Sequence, residues 1–178
     1  MDINWIFYPK TTAIPKIISQ VIDIFVNNSK IIDSSKNDTN ELRLPSDKVL
    51  EIVSDDLLNL GYLVETGKKK EQKIRVPVLF GKNGTIDLAF EVDGYHKEHK
   101  IVIEIEAGRA YTNHQFLKDI FETSMMVDVD FLVLAVRNLY KGRNDYEKIS
   151  HWLETLYLTN RIKLDLKGIL LVGYWKKG

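Results

Sequence analysis

The segment Thr85–Glu106 constrains the fold more than any other part of the chain, because two consecutive stretches in it alternate apolar and polar residues with a period of two. Successive side chains on a strand point to opposite faces, so such a pattern builds a sheet with one dry and one wet side. In the first stretch Ile86, Leu88, Phe90 and Val92 share one side, and Thr85, Asp87, Ala89, Glu91 and Asp93 share the other. In the second, Ile101, Ile103 and Ile105 lie opposite Lys100, Val102, Glu104 and Glu106. With Gly94-Tyr95-His96-Lys97 as the turn of a hairpin, Glu91 faces Lys100, Ala89 faces Val102 and Asp87 faces Glu104. Like charges directly opposed on a sheet, with Cβ atoms roughly 4.5–5.5 Å apart, repel each other. A divalent cation between them removes the penalty, and Mg²⁺ favours one or two carboxylates with water and phosphate oxygens. The pattern admits a second reading, an ordinary solvated hairpin face, and a register shifted by two relaxes the opposition.

The remaining chain reads as helices and strands around this hairpin. Ile14, Ile17, Ile18, Val21, Ile22, Phe25 and Val26 form the apolar face of an N-terminal helix over residues 13–27, with Pro15 tolerated in its first turn. That face packs either on the domain or on a second copy of it. A polar loop follows over residues 33–41. Ser46 is an N-cap candidate and Gly61 a stop for a second helix. Strands are expected at Tyr62–Glu65, Arg75–Phe80, Ile86–Val92 and Lys100–Glu106, then a helix from Asn113 to Met126, a buried strand at Phe131–Val136, a helix from Asp145 to Leu158 and a last strand at Gly168–Tyr174. The order predicts an α/β (α+β) fold with a central mixed sheet flanked by helices, in one domain over residues 1–178: a core of about 46–137 and a C-terminal helix and strand over 145–175.

Composition narrows the function classes. With 25 basic and 25 acidic residues the chain carries no net charge, which excludes a uniformly basic coat, although a local basic groove remains open. The absence of cysteine excludes disulfides, Cys-based zinc sites and thiol nucleophiles. No apolar run approaches the ~18 residues of a membrane span, and the opening residues do not read as a signal peptide, so a cytoplasmic protein is expected. His96, His99, His114 and His151 lack paired metal-site spacing, and no GxxxxGK[ST] stretch supports a nucleotide cofactor.

An Asp at the end of one strand, then Glu-x-Glu on the next, followed by a helix and a buried strand, resembles the PD-(D/E)XK nuclease core. The pieces are Thr85-Ile86-Asp87 and Glu104-Ile105-Glu106, and the continuation Ala107-Gly108-Arg109-Ala110 is similar to the BglII/BamHI-type branch of type II restriction endonucleases. The usual proline before the Asp is replaced by Ile86, and the usual Lys by Glu106, which matches only that branch. The resemblance, over about Ser46 to Val136, implies a restriction-endonuclease-like fold and Mg²⁺ (with Mn²⁺ able to substitute) held by Asp87 and Glu104. Glu106 would then orient or deprotonate the attacking water, and Glu51 on the second helix would supply an outer carboxylate, or else simply face solvent.

Double-stranded DNA is the implied partner, with a homodimer needed to cut both strands. The phosphate-contact candidates are Lys68, Lys69, Lys70, Lys73 and Arg75 in the densest basic stretch, and Arg109, Gln115 and Lys118 after the acidic strand. The basic stretch reads equally well as a loop that keeps a sheet edge soluble. Two further functions fit the same residues: a non-catalytic module binding nucleic acid or protein, and a metal-dependent RNase or repair nuclease.

Overall fold

The computed structural model describes residues 3–34 and 44–175; the polar loop expected over 33–41 lies, from residue 35 onward, outside the described residues. The elements run β1 (Asn4–Tyr8), α1 (Lys16–Ser34), α2 (Ser46–Leu60), β2 (Leu63–Val64), β3 (Ile74–Phe80), β4 (Ile86–Val92), β5 (Gly94–His96), β6 (Ile101–Glu106), α3 (Gln115–Met125), β7 (Phe131–Arg137), β8 (Leu139–Tyr140), β9 (Arg143–Asn144), α4 (Asp145–Thr159) and β10 (Gly168–Tyr174). Six strands form one sheet in the order β1-β10-β7-β6-β5-β2. β6, β7 and β10 run parallel, while β1, β5 and β2 join antiparallel, so the sheet is mixed. Strands buried on both faces read as unbroken apolar runs, as Leu132–Val136 and Ile169–Val172 do.

The period of two sorts the core into two layers. Ile101, Ile103, Ile105, Val133, Ala135, Leu170 and Val172 face α1 and α2. Val102, Leu132, Leu134, Val136, Ile169 and Leu171 face α3 and α4. On α1, Ile18, Val21, Ile22, Ile24 and Phe25 are buried in the first layer. The apolar face of the N-terminal helix therefore covers its own sheet and is not free to join a second copy. α2 follows Pro45, and no side chain caps its first turn, so Ser46 is not the N-cap. Gly61 does stop the helix: it adopts φ 101°, and the N–H groups of Gly61 and Tyr62 bond to Leu58 and Leu57 carbonyls.

The acidic hairpin is arranged differently from the expectation. Gly94–His96 is a strand, not a turn; Tyr95 pairs with Val102 and His96 with Ile101, and the turn is Lys97–Lys100. A Cβ on Gly94 would meet Ile103 Cγ2 at 2.7 Å and the Leu63 carbonyl at 3.2 Å, so this glycine marks close approach between strands. β4 does not pair with β6. It bends away at Asp93 and pairs with β3 in a separate two-stranded ribbon, with Ile74 opposite Val92 and Val76 opposite Phe90. Residues 79–88 of that ribbon are exposed, Leu79, Phe80, Ile86 and Leu88 included. β1 is a further strand that the sequence pattern did not predict.

Candidate active site

The register of β5 on β6, continued one step from Gly94 opposite Ile103, sets Asp93 against Glu104. Asp93 Oδ2 accepts a hydrogen bond from the Ile105 N–H at 2.7 Å, and its backbone carbonyl accepts one from the Glu65 N–H at 2.8 Å. Glu104 and Glu106 continue the row of Val102 along the face toward α3, beside the buried Leu134 and Val136 of β7. Asp119 comes up from α3 into the same layer. It is only 5 % exposed; its Oδ1 accepts from Gln115 Nε2 at 3.1 Å, and its Oδ2 has no hydrogen-bond partner. Tyr174 donates its hydroxyl to the Glu106 carbonyl at 3.0 Å and fixes the end of β6.

Desolvation first, and mutual repulsion second, drive these acids toward their protonated forms. Glu104 is pushed well above the usual carboxylate range by burial and by Asp93, Asp119 and Glu106. Glu106 is raised to about 8 by burial, then by Asp119 and Asp93, against the opposing charges of Lys118 and Arg109. Burial raises Asp119 to about 7 despite its bond from Gln115. Asp93 rises to about 6, burial outweighing its bond from the Ile105 N–H.

The other residues singled out in the sequence divide sharply. Asp87 is not brought to Glu104: it lies exposed on β4, in the ribbon that has left the main sheet. Glu51 lies on the rim of a cleft of about 510 Å³ between α2 and the stretch after β2, but its carboxylate is 66 % exposed and paired with Lys48 at 2.7 Å. The α2 acid whose charge reaches Asp93 is Asp47, which pairs with Lys68 at 3.4 Å. Lys73 is held by Glu65 at 2.8 Å, inside the fold rather than on a free arm. Lys69, Lys70, Arg75, Arg109 and Lys118 are exposed, with Lys118 also 3.3 Å from Glu122. Gln115 spends its amide on Asp119.

Sequence reasoning passed over Asp93 and Asp119, which the fold brings beside Glu104 and Glu106. Asp93 carried a usable signal, since Val92-Asp93-Gly94 ends an alternating run just before a glycine that packs against a neighbouring strand. Asp119 carried a weaker one: it falls on the buried side of α3 one turn after Gln115, between Phe116 and Ile120, where an acid is out of place. Gly108 supplies the turn from β6 toward α3. It has φ 127°, and a Cβ there would stand 2.3 Å from the Tyr140 ring.

Among the described residues no three Asp, Glu, His or Cys side chains stand close enough to enclose an ion by themselves. The donor set nevertheless fits a hydrated divalent cation: the carboxylates crowd one half-dry face, raise one another's proton affinity and leave Asp119 Oδ2 unpaired. Glu106, raised to about 8, binds a proton more tightly than an ordinary carboxylate does. No described helix is long and apolar enough to cross a membrane.

No curated protein matches the chain. Among solved structures, that of the restriction endonuclease BglII complexed with a DNA 16-mer matches with a TM-score of 0.54 at 14 % identity, over 99 % of this chain and 78 % of that one, a likeness of fold. The family model described as "Putative halobacteria restriction endonuclease" matches residues 8–174, which include β5, β6 and α3 with Asp93, Glu104, Glu106 and Asp119, and the chain belongs to that restriction endonuclease family.

Proposed function

We propose that the protein is a Mg²⁺-dependent endonuclease that hydrolyses phosphodiester bonds of double-stranded DNA in restriction or defence, working as a homodimer. The observation that carries this reading is the convergence of Asp93, Glu104 and Glu106 on one sheet face of a restriction-endonuclease fold, with proton affinities raised by burial and by one another. Asp93 and Glu104 would hold the cation, in place of the Asp87–Glu104 pair expected from the sequence. The cation, when bound, supplies charge for the phosphate and lowers the pKa of water. Glu106 accepts the proton of the attacking water as the new P–O bond forms, and the departing sugar oxygen takes its proton from solvent. Arg109 and Lys118, whose charges already reach Glu106, suit the neighbouring phosphates. One site severs one strand, so two copies are required for a duplex cut.

The test is cleavage of matched DNA and RNA duplexes in Mg²⁺, in Mn²⁺ and in chelator. Wild type and Asp87→Asn should cut DNA only with the metal, while Asp93→Asn and Glu104→Gln should lose activity. Metal-independent cutting, or full activity in Asp93→Asn, refutes the site; preferential RNA cutting refutes the substrate.

A further inference from the structure

Asp119 has no part in the hydrolysis just described, yet it is a deeply buried acid in the same layer. A carboxylate oxygen sealed from solvent without a donor is costly unless something positive or protic comes to it. Within the described residues nothing does: Gln115 serves Oδ1, and Oδ2 is left unpaired near Glu104 and Glu106, whose proton affinities Asp119 raises directly. Its place on α3, bracketed by the buried Phe116 and Ile120, allows the side chain little freedom to turn elsewhere.

We propose that Asp119 is a positioning residue of the cation site, its free Oδ2 accepting a hydrogen bond from a water of the hydrated cation that Asp93 and Glu104 hold. This rests on the metal-dependent reading of the site. The assignment is to the outer sphere because no three described acids enclose an ion directly, so a carboxylate beyond the first two acts through water. Gln115 then has a defined role, since its bond to Oδ1 fixes the carboxylate plane and leaves Oδ2 free for the site.

The experiment is Mn²⁺ titration of the full chain without DNA, by calorimetry and by the electron paramagnetic resonance signal of free Mn²⁺, alongside melting of the metal-free protein at pH 8. Loss of an outer partner of this kind weakens metal binding roughly 10–100-fold. Asp119→Asn should show that loss while melting at a higher temperature than wild type without metal, because a buried like charge is gone. A purely structural Asp119 would give the opposite pair, lower melting and unchanged Mn²⁺ affinity, and that result overturns the proposal. Asp119→Ser supplies the same comparison should the Asn variant fold poorly. Loss as complete as in Glu104→Gln makes Asp119 a direct ligand and also overturns the outer-sphere assignment. Unchanged binding in Asp119→Asn with binding lost in Glu104→Gln defeats this inference alone, whereas undiminished binding in both defeats the metal-site reading itself.

Discussion

Glu106→Gln offers the cleanest measure of what the acidic site costs the fold. The carboxyl has an ordinary value of 4.5 and is raised to about 8 in the folded protein, chiefly by burial and then by Asp119 and Asp93. The folded state therefore binds a proton that the unfolded state has released throughout the interval from about 4.5 to about 8. Stability of the metal-free protein must fall as pH rises through that interval, and its contribution from Glu106 is flat below and above it. A shift of this size, at 1.36 kcal/mol per unit, sets a ceiling of about 5 kcal/mol. Glu106 remains partly accessible to water, and discounting the ceiling for solvent screening leaves about 2 kcal/mol as the working figure. For a domain of this size that corresponds to about 4–8 °C in Tm.

Glu106→Gln keeps the side-chain shape and removes the titrating charge. Melting followed by circular dichroism in chelator should place the variant about 4–8 °C above wild type at about pH 8.5 and level with it at about pH 4.5. Saturating Mg²⁺ should close the gap, because the cation stabilises the wild-type folded state by mass action. Equal melting temperatures at the alkaline pH, or an offset of the same size at both pH values, would refute the claim that Glu106 is held charged at a cost.

Asp93→Ala should destabilise the protein by about 1–3 kcal/mol through the orphaned Ile105 N–H, whereas Asp93→Asn, which retains an acceptor, should fold normally and lose only metal binding; urea melts of the two variants separate these roles. Gly108→Ala should cost roughly 1–3 kcal/mol, since φ 127° and the Tyr140 ring both oppose a Cβ, and a wild-type urea midpoint would contradict the crowding. Replacing Lys69 and Lys70 together by Ala should reduce the slope of log affinity against log salt by about 2 on duplex DNA, roughly one unit for each phosphate lost; an unchanged slope would assign both lysines to solvent. Glu106→Lys should lower the cleavage rate at least ~10²-fold and weaken Mg²⁺ binding, and an unaltered rate-against-Mg²⁺ curve would remove Glu106 from the chemistry.

The parts of the fold legible in the sequence are those set by apolar period. The 3.6-residue stripes on α1, α2 and α3, and the buried strands β7 and β10, follow directly from where the isoleucines, leucines and valines fall. Register was not legible. Gly94 reads as a turn residue until Ile103 and the Leu63 carbonyl are seen pressing against it, and a turn at Gly94–Lys97 then carries Asp87, not Asp93, to Glu104. The error is one of long-range pairing: nothing local tells β4 to leave β6 and take β3 as its partner. Glu104 and Glu106 stand out because their own strand alternates cleanly, while Asp119 is hidden inside a helix whose apolar stripe it shares. β1 escapes notice because Asn4–Tyr8 is short and gains its identity only by lying against β10.

The departure of that ribbon also explains why the site lies where it does. β5 covers β6 only at Ile101–Ile103, so beyond Ile103 the edge of β6 loses its strand neighbour. An uncovered Ile105 N–H inside the fold needs an acceptor, and the bend that removes β4 places the Asp93 carboxylate there. The same gap leaves Glu104 and Glu106 partly accessible on one side while Leu134 and Val136 keep them dry on the other. A fully paired sheet would have buried both glutamates against a strand, and a frayed one would have left them in water with ordinary acidity. Bending one strand out by a single residue produces the intermediate case, two carboxylates half-buried at an open sheet edge with their proton affinity raised, which is the arrangement the proposed cation site requires.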